Sequence, residues 1–257
     1  MQRTNPSSAT ASPAASSPPD LPEPGGLCAI HQPNFLPRLT TLAKLFAADY
    51  WIVLDDVQFT RHDYQHRARL TALDGTDRRQ WLSIPQTAIR EALIVDRGLA
   101  RRKTAGMLRQ HYKPSPHWPH LARSLQPVLE SVATGRTAAV AETSTRVLLD
   151  LLGWRGQILP SSRLPARAGR SQRLADLAAA TGARSYLCGT GGMAYLDESL
   201  FTAHAITVTP FVPPDRRIWA AGRKDSAVTA LMALGPTMVA DELRILVAWI
   251  TAFQTVA

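Results

Sequence analysis

Residues 27–54 read LCAIHQPNFLPRLTTLAKLFAADYWIVL, and this stretch decides the fold class. Leu27–Ile30 is a short apolar run, the signature of a buried strand. Thr40–Ala48 places Leu42, Leu45 and Phe46 on one helical face. Trp51–Leu54 is β-branched and aromatic, and reads as a second strand ending at Asp55-Asp56. Strand, loop, helix and strand within about thirty residues is the size of a βαβ unit, whose two strands run parallel.

The same alternation continues downstream. Residues 79–86 and Gln157–Leu159 are strand candidates, as are the runs RSYLCG and ITVTPFVP. Helices are expected over 99–113, 119–133, 137–152 and 171–181, with Ser171 as N-cap and Gly182 as C-cap of the last. DSAVTALMALGP is a helix capped near Asp225 or Ser226 and stopped by Gly235-Pro236, and 238–256 is a final helix. Strands alternating with helices predict an α/β fold: a mainly parallel sheet with flanking helices and C-terminal helices. Residues 1–26 are Ser, Pro, Ala and Gly with almost no large apolar residue, too little to offset the entropy of ordering. They are expected to be a disordered tail, and 27–257 a single α/β domain.

The 257 residues carry a formal charge of +9, mostly from arginine. Such a surface suits phosphates, carboxylates or nucleic acid, though arginine also accompanies the Ala- and Pro-rich composition seen throughout. Arginine is spread over every segment rather than gathered with aromatics on one face, so nucleic acid is not the expected partner. The two cysteines, Cys28 and Cys188, lie in apolar runs and are too few for a disulfide framework or a zinc ribbon. No segment approaches the roughly 20 apolar residues of a membrane span, and the N-terminal stretch lacks the apolar core of a signal peptide. A cytoplasmic location is expected.

In open parallel α/β sheets, ligands bind beyond the carboxyl ends of the strands. Four strand ends here carry unusual polar groups: His31-Gln32-Pro33-Asn34, Asp55-Asp56-Val57-Gln58, Ser161-Ser162-Arg163 and Gly189-Thr190-Gly191-Gly192. His31 suits a general acid or base, or an oxyanion contact; the plain alternative is a ring closing a turn. Asp55 and Asp56, if extended, face opposite sides, so that one reaches the cleft as a base or cation ligand. The plain alternative for the pair is a strand end salt-bridged to Arg61 or Arg67. His62 and His66 have helical metal-ligand spacing without a third ligand, and no metal site is assigned. The glycines of CGTGGMAYLD could bring backbone N–H groups close to a phosphate or carboxylate, but match neither a Walker nor a Rossmann fingerprint.

HQPNFLP, then FAADYWIVLDDVQF, YQHRARL, WLSIP, YLCGTGGMAYLD and SAVTALMALGP, in this order, resemble the WbqC-like family over about Ala29–Gly235. The resemblance implies a biosynthetic enzyme of bacterial surface-polysaccharide (amino-sugar) or small natural-product assembly, one that transfers an acyl or aminoacyl group. It marks His31, Gln32, Pro33, Asn34, Asp55, Asp56, Gln58, Phe59, Arg67, Gly189, Gly192, Tyr195 and Asp197 as motif positions. This chain departs from the pattern where Tyr64 replaces a Trp and His66-Arg67-Ala68 replaces Asn-Arg-Asn, and where PFVPPDRRIW stands in place of a Tyr-x-Gln.

The expectation is therefore a transferase acting on a small anionic, activated-sugar or amino-acid substrate, with its cofactor unassigned. His31, Asp55 and Asp56 are the catalytic candidates. Gln32, Asn34, Gln58, Arg61, Tyr64, Arg67, Ser161, Arg163, Gly189, Gly191, Gly192, Tyr195 and Asp197 are the substrate-binding candidates. Nucleotidyl or adenylate transfer is the alternative enzyme class. A non-catalytic polyanion binder and a scaffold are the alternatives outside catalysis.

Overall fold

The structure is a computed structural model that describes residues 26–60, 63–76, 78–84, 94–215 and 218–254. The expected N-terminal tail, together with Arg61 and His62, lies outside the described residues. In chain order the elements begin with β1 (Leu27–His31), α1 (Leu39–Phe46), β2 (Tyr50–Val53), β3 (Arg67–Thr71) and β4 (Arg79–Ser83). A helical stretch follows: α2 (Ile94–Tyr112), α3 (Trp118–Ser124), α4 (Gln126–Thr134) and α5 (Thr137–Leu151). Then come β5 (Gln157–Pro160), a 3-10 turn at Ser161–Arg163, α6 (Arg170–Ala179), β6 (Ser185–Gly189), α7 (Thr190–Met193), α8 (Ser199–Thr202) and β7 (Thr207–Phe211). The last described helices are α9 (Ile218–Gly222), α10 (Ala227–Leu234) and α11 (Pro236–Gln254).

Five strands form one parallel sheet in the order β5-β2-β1-β6-β7. Strand alternation sorts its residues onto two faces. Leu27, Ala29, Trp51, Val53 and Leu187 join α1, α5, α10 and α11 in the larger apolar cluster. Cys28, Ile30, Tyr50, Ile52, Tyr186 and Cys188 join Ala175, Leu177 and Ala178 of α6 and Phe201 of α8 on the opposite face. Helices cover both faces, as a parallel sheet requires, and its central strands carry continuous apolar runs for the same reason. The chain leaves β1 for β2 and β5 on one side. It returns through α6 to β6 and β7 on the other. The strand order therefore reverses between β1 and β6, and their carboxyl ends part to leave a crevice.

The structure changes several sequence expectations. The strand over 79–86 is β4, but it pairs antiparallel with β3, outside the main sheet. The helix over 119–133 breaks at Leu125 into α3 and α4, because Pro127 has no N–H for the helical ladder. Helix α6 starts at Arg170 after Gly169, so Ser171 is no N-cap; its hydroxyl instead accepts the backbone N–H of Asp197. The glycine loop after β6 winds into α7. Ser226 does cap α10, accepting from the Val228 N–H. No helix among the described residues is long and apolar enough to cross a membrane.

Candidate functional site

The loop 32–38 is fixed from several sides. Phe35 and Leu36 are fully buried, each worth about 1.5–3 kcal/mol on removal from water. Leu36 sits at φ +43, a left-handed conformation costing an L-residue about 1–2 kcal/mol. Tertiary bonds hold it there. The Leu36 N–H donates to Ser144 Oγ at 2.8 Å, and Thr145 Oγ1 donates to the Asn34 carbonyl at 2.9 Å, both from α5. The Ala227 N–H donates to the Pro37 carbonyl at 2.8 Å. The Phe35 N–H donates to the Tyr64 carbonyl at 2.9 Å, and Gln65 Nε2 donates to Gln32 Oε1 at 2.5 Å.

This loop forms one wall of a cleft of about 580 Å³ at the crevice between β1 and β6. Ile30, His31, Gln32 and Asn34 line it from β1 and its loop. Arg38, Thr40, Thr41 and Lys44 line it from the start and inner face of α1. Gly189–Gly192 and Tyr195 form the facing wall, and Asp63, Phe211, Pro213 and Arg223 stand around them.

His31 continues the parity of Leu27 and Ala29, so it falls on the α1 side of the sheet. Its Nδ1 lies 2.7 Å from the Gln32 carbonyl. A carbonyl can only accept, so Nδ1 carries the proton and Nε2 keeps its lone pair. Among the described residues Nε2 has no partner in the protein. Burial, then the Lys44 charge, and to a smaller extent Arg38 hold the imidazole neutral, with its pKa pushed down to about 3 against the pull of the Gln32 carbonyl. Lys44 is itself buried, at 6% exposure. Its ammonium donates to the Ile30 carbonyl at 3.3 Å and has no carboxylate partner among the described residues. Burial pulls its pKa down to about 8.

A family model, the WbqC-like protein family, matches residues 32–223, from the loop after His31 to the arginine at the far side of the cleft. The chain belongs to the WbqC-like protein family. It is similar to the uncharacterized protein Rv1507c of Mycobacterium tuberculosis, 26% identical over 190 residues that cover 71% of this chain and 80% of that protein. No solved structure matches it significantly.

The two WbqC-like motif blocks part company in space. His31, Gln32, Asn34, Gly189, Gly191, Gly192 and Tyr195 come together at the cleft. Asp55 and Asp56 do not line it. Strand β2 ends at Val53, so the alternation expected of the two carboxylates does not apply, and both turn toward the end of β5. Ser161 Oγ donates to Asp56 at 2.5 Å and, more weakly, to Asp55 at 3.1 Å. The Ser162 N–H and hydroxyl donate to Asp55 at 2.9 and 2.7 Å, and Arg173 pairs with Asp56. Hydrogen bonds from the serines, outweighing partial burial, hold the Asp55 carboxyl below its usual range; those of Ser161 and then Arg173 do the same for Asp56.

The other expected binding residues have other surroundings. Tyr64 stacks under the Arg38 guanidinium at 4.4 Å, and Arg67 lies over the ring of Trp81 at 4.4 Å. Gln58 and Arg163 are exposed. Asp197 accepts the N–H and hydroxyl of Ser199 at the start of α8. Arg61 is outside the described residues. Cys188 is a packed thiol, its pKa raised by burial.

Lys44, Thr40, Thr41, Arg38, Asp63 and Arg223 were not among the expected site residues. For Lys44 a signal exists in the sequence. Thr40, Thr41 and Lys44 sit at i, i+1 and i+4, a polar stripe on a helix otherwise made for the core, and Lys44 directly precedes Leu45. Nothing local marks Arg223, which reaches the cleft from 192 positions beyond His31 only because α9 folds back onto α1.

Proposed function

We propose that the chain is a biosynthetic transferase whose active site is this cleft, moving an acyl or aminoacyl group from an activated donor to an amine or hydroxyl. The natural setting proposed is bacterial amino-sugar-containing polysaccharide or small natural-product assembly, and rests on family membership. The observation that carries the chemistry is His31: neutral, oriented through Nδ1, and with Nε2 free at the strand end where α/β sheets bind ligands.

In the proposed step the nucleophile's proton passes to Nε2 as its lone pair attacks the acyl carbon. The bond from that carbon to the leaving group then breaks, and the leaving group takes the proton back from Nε2. Gln32, braced by Gln65, and Asn34 offer polar contacts beside the reacting atoms. Gly189 and Gly191 lack side chains there, which permits close approach of a substrate. Asp55, Asp56 and Ser161 enter as positioning residues that tie the loop after β2 to the end of β5. Tyr64 enters as a support for Arg38, and Arg67 and Arg163 as outlying charges.

Nucleotidyl transfer is a second reading, favoured by the histidine at the end of the first strand beside a buried lysine. The test is a thermal-shift screen with thioesters, aminoacyl donors, nucleotides and sugar nucleotides, followed by turnover of the stabilising pair. His31→Ala is expected to lower turnover about 10²–10⁴-fold while ligand stabilisation persists. Full activity in that variant would remove the base role, and with it the reading of this cleft as the reacting centre.

A further inference from the structure

The cleft holds more positive charge than its own groups answer. Lys44, Arg38 and Arg223 line it, and Asp63 is the one acidic residue among the described lining residues. Asp63 is engaged by the Tyr64 N–H at 2.7 Å. None of the three cations has a carboxylate partner among the described residues. Arg38 and Arg223 are spent partly on backbone carbonyls: Arg38 Nη1 reaches that of Arg223 at 3.2 Å, and Arg223 Nη2 that of Pro213 at 3.0 Å. Lys44 uses one of its three donors, on a long bond. A buried ammonium without a counter-ion is costly to a fold, and the cost persists only where something else supplies the anion.

The surroundings of Lys44 are shaped to admit one. A side chain at Gly189 would begin 4.0 Å from Nζ, and glycine keeps that approach open. Nothing stands within 4 Å of the corresponding position at Gly191. Thr41, one turn before Lys44, lines the cleft, and its hydroxyl has no protein partner among the described residues. The excess of two positive charges matches a phosphate monoester, which carries about −1.5 to −2 at neutral pH, better than a single carboxylate.

We infer that Lys44, with Thr41, Arg38 and Arg223, is a phosphate subsite, and that the small molecule entering this cleft carries a phosphoryl group bound at Lys44. The inference deepens the transferase reading by naming the group that anchors the substrate, but phosphate binding is measurable without turnover.

The experiment titrates inorganic phosphate into the full chain by calorimetry, with acetate as the carboxylate control. Phosphate is expected to bind, acetate at least tenfold more weakly. Lys44→Met is expected to weaken phosphate at least tenfold, and to raise the melting temperature of the free protein by removing an unpaired buried charge. Arg123→Met, an exposed arginine on α3 outside the cleft, should change neither. On the wild-type chain, phosphate should slow reductive methylation of Lys44, read by peptide mass spectrometry. That measurement keeps the test open even where the methionine variant fails to fold. A hexose 1-phosphate or a nucleoside monophosphate binding more tightly than phosphate would tell which molecule brings the phosphoryl group, and either outcome supports the subsite.

Phosphate that ignores Lys44, acetate that binds as well, or no protection of Lys44 would overturn the inference. Its failure is separable from that of the transferase reading. An active protein needing His31 but indifferent to Lys44 sinks the subsite alone. Phosphate binding through Lys44 with turnover intact in His31→Ala sinks the transfer mechanism alone.

Discussion

Neutral His31 makes a prediction about folding that needs no substrate. The ordinary histidine pKa of 6.5 falls to about 3 in the folded chain, chiefly through burial and the Lys44 charge. Below pH 6.5 the unfolded chain takes up a proton that the folded chain refuses. The unfolded state then binds more protons, so stability is complete above pH 6.5 and drains away as the pH falls toward 3. At pH 5 the full shift corresponds to about 2 kcal/mol, and solvent reaching the half-buried ring from the cleft trims this to about 1–2 kcal/mol. For a chain of this size that is roughly 3–6 °C in melting temperature.

The assay is a pair of melting curves, at pH 7.5 and pH 5, for the wild type and His31→Gln. The other histidines contribute equally to both proteins, so the difference of differences isolates His31. The wild type should lose about 1–2 kcal/mol more than the variant between the two pH values. A long-range nitrogen-15 spectrum should show one ring with its proton on Nδ1 that stays neutral at pH 5. Parallel melting curves, or a ring that titrates near 6.5, would refute the neutral base and the burial from which it is chiefly argued.

Three further outcomes are expected. Ser144→Ala removes the acceptor of the buried Leu36 N–H and should cost about 1–3 kcal/mol by denaturant unfolding, with substrate affinity reduced because the same bond holds the loop that follows His31. Gly192→Ala would place a methyl 2.6 Å from Cys188 Sγ; it should destabilise by about 1–3 kcal/mol and be rescued by Cys188→Ala in a double-mutant cycle, and zero coupling would contradict that contact. Asp56→Asn, at a 40% exposed ion pair, should cost under about 1 kcal/mol and leave phosphate binding unchanged, whereas a hundredfold loss of turnover would return Asp56 to the reacting centre.

How far the sequence carried these conclusions depends on distance along the chain. The βαβ opening was legible because each of its elements is short, local and bounded by polar punctuation. The parallel sheet followed from the same alternation, repeated. The β3 strand was not legible: RARLT alternates charge with apolar residues, but it lies beside His62 and His66, whose spacing suggested a helix. Its partner β4 was read correctly as a strand and assigned to no hairpin. The cleft was half legible. Strand ends mark His31 and the glycines, and the expected convergence of four strand ends resolves into two places. The end of β1 meets that of β6, while the end of β2 meets that of β5 through Asp55, Asp56 and the serines. Strand order decides which ends are neighbours, and a single sequence does not contain strand order.

That division bears on how the cleft works. A histidine held neutral by burial and then by an adjacent ammonium is a weak base, and a buried ammonium without a counter-ion is costly, so each alone would look like a defect. In the proposed site the two are linked through charge: what binds Lys44 also acts on His31. An anion seated on Lys44 would offset the second of the two causes that depress His31, the Lys44 charge, while burial, the larger cause, stays in place. Asp55 or Asp56 beside His31 would defeat this arrangement, because a fixed carboxylate would neutralise Lys44 permanently and charge the imidazole in the empty cleft. Their place at the end of β5, where serines and Arg173 satisfy them, leaves Lys44 without a carboxylate among the described residues, as the proposed phosphate subsite requires.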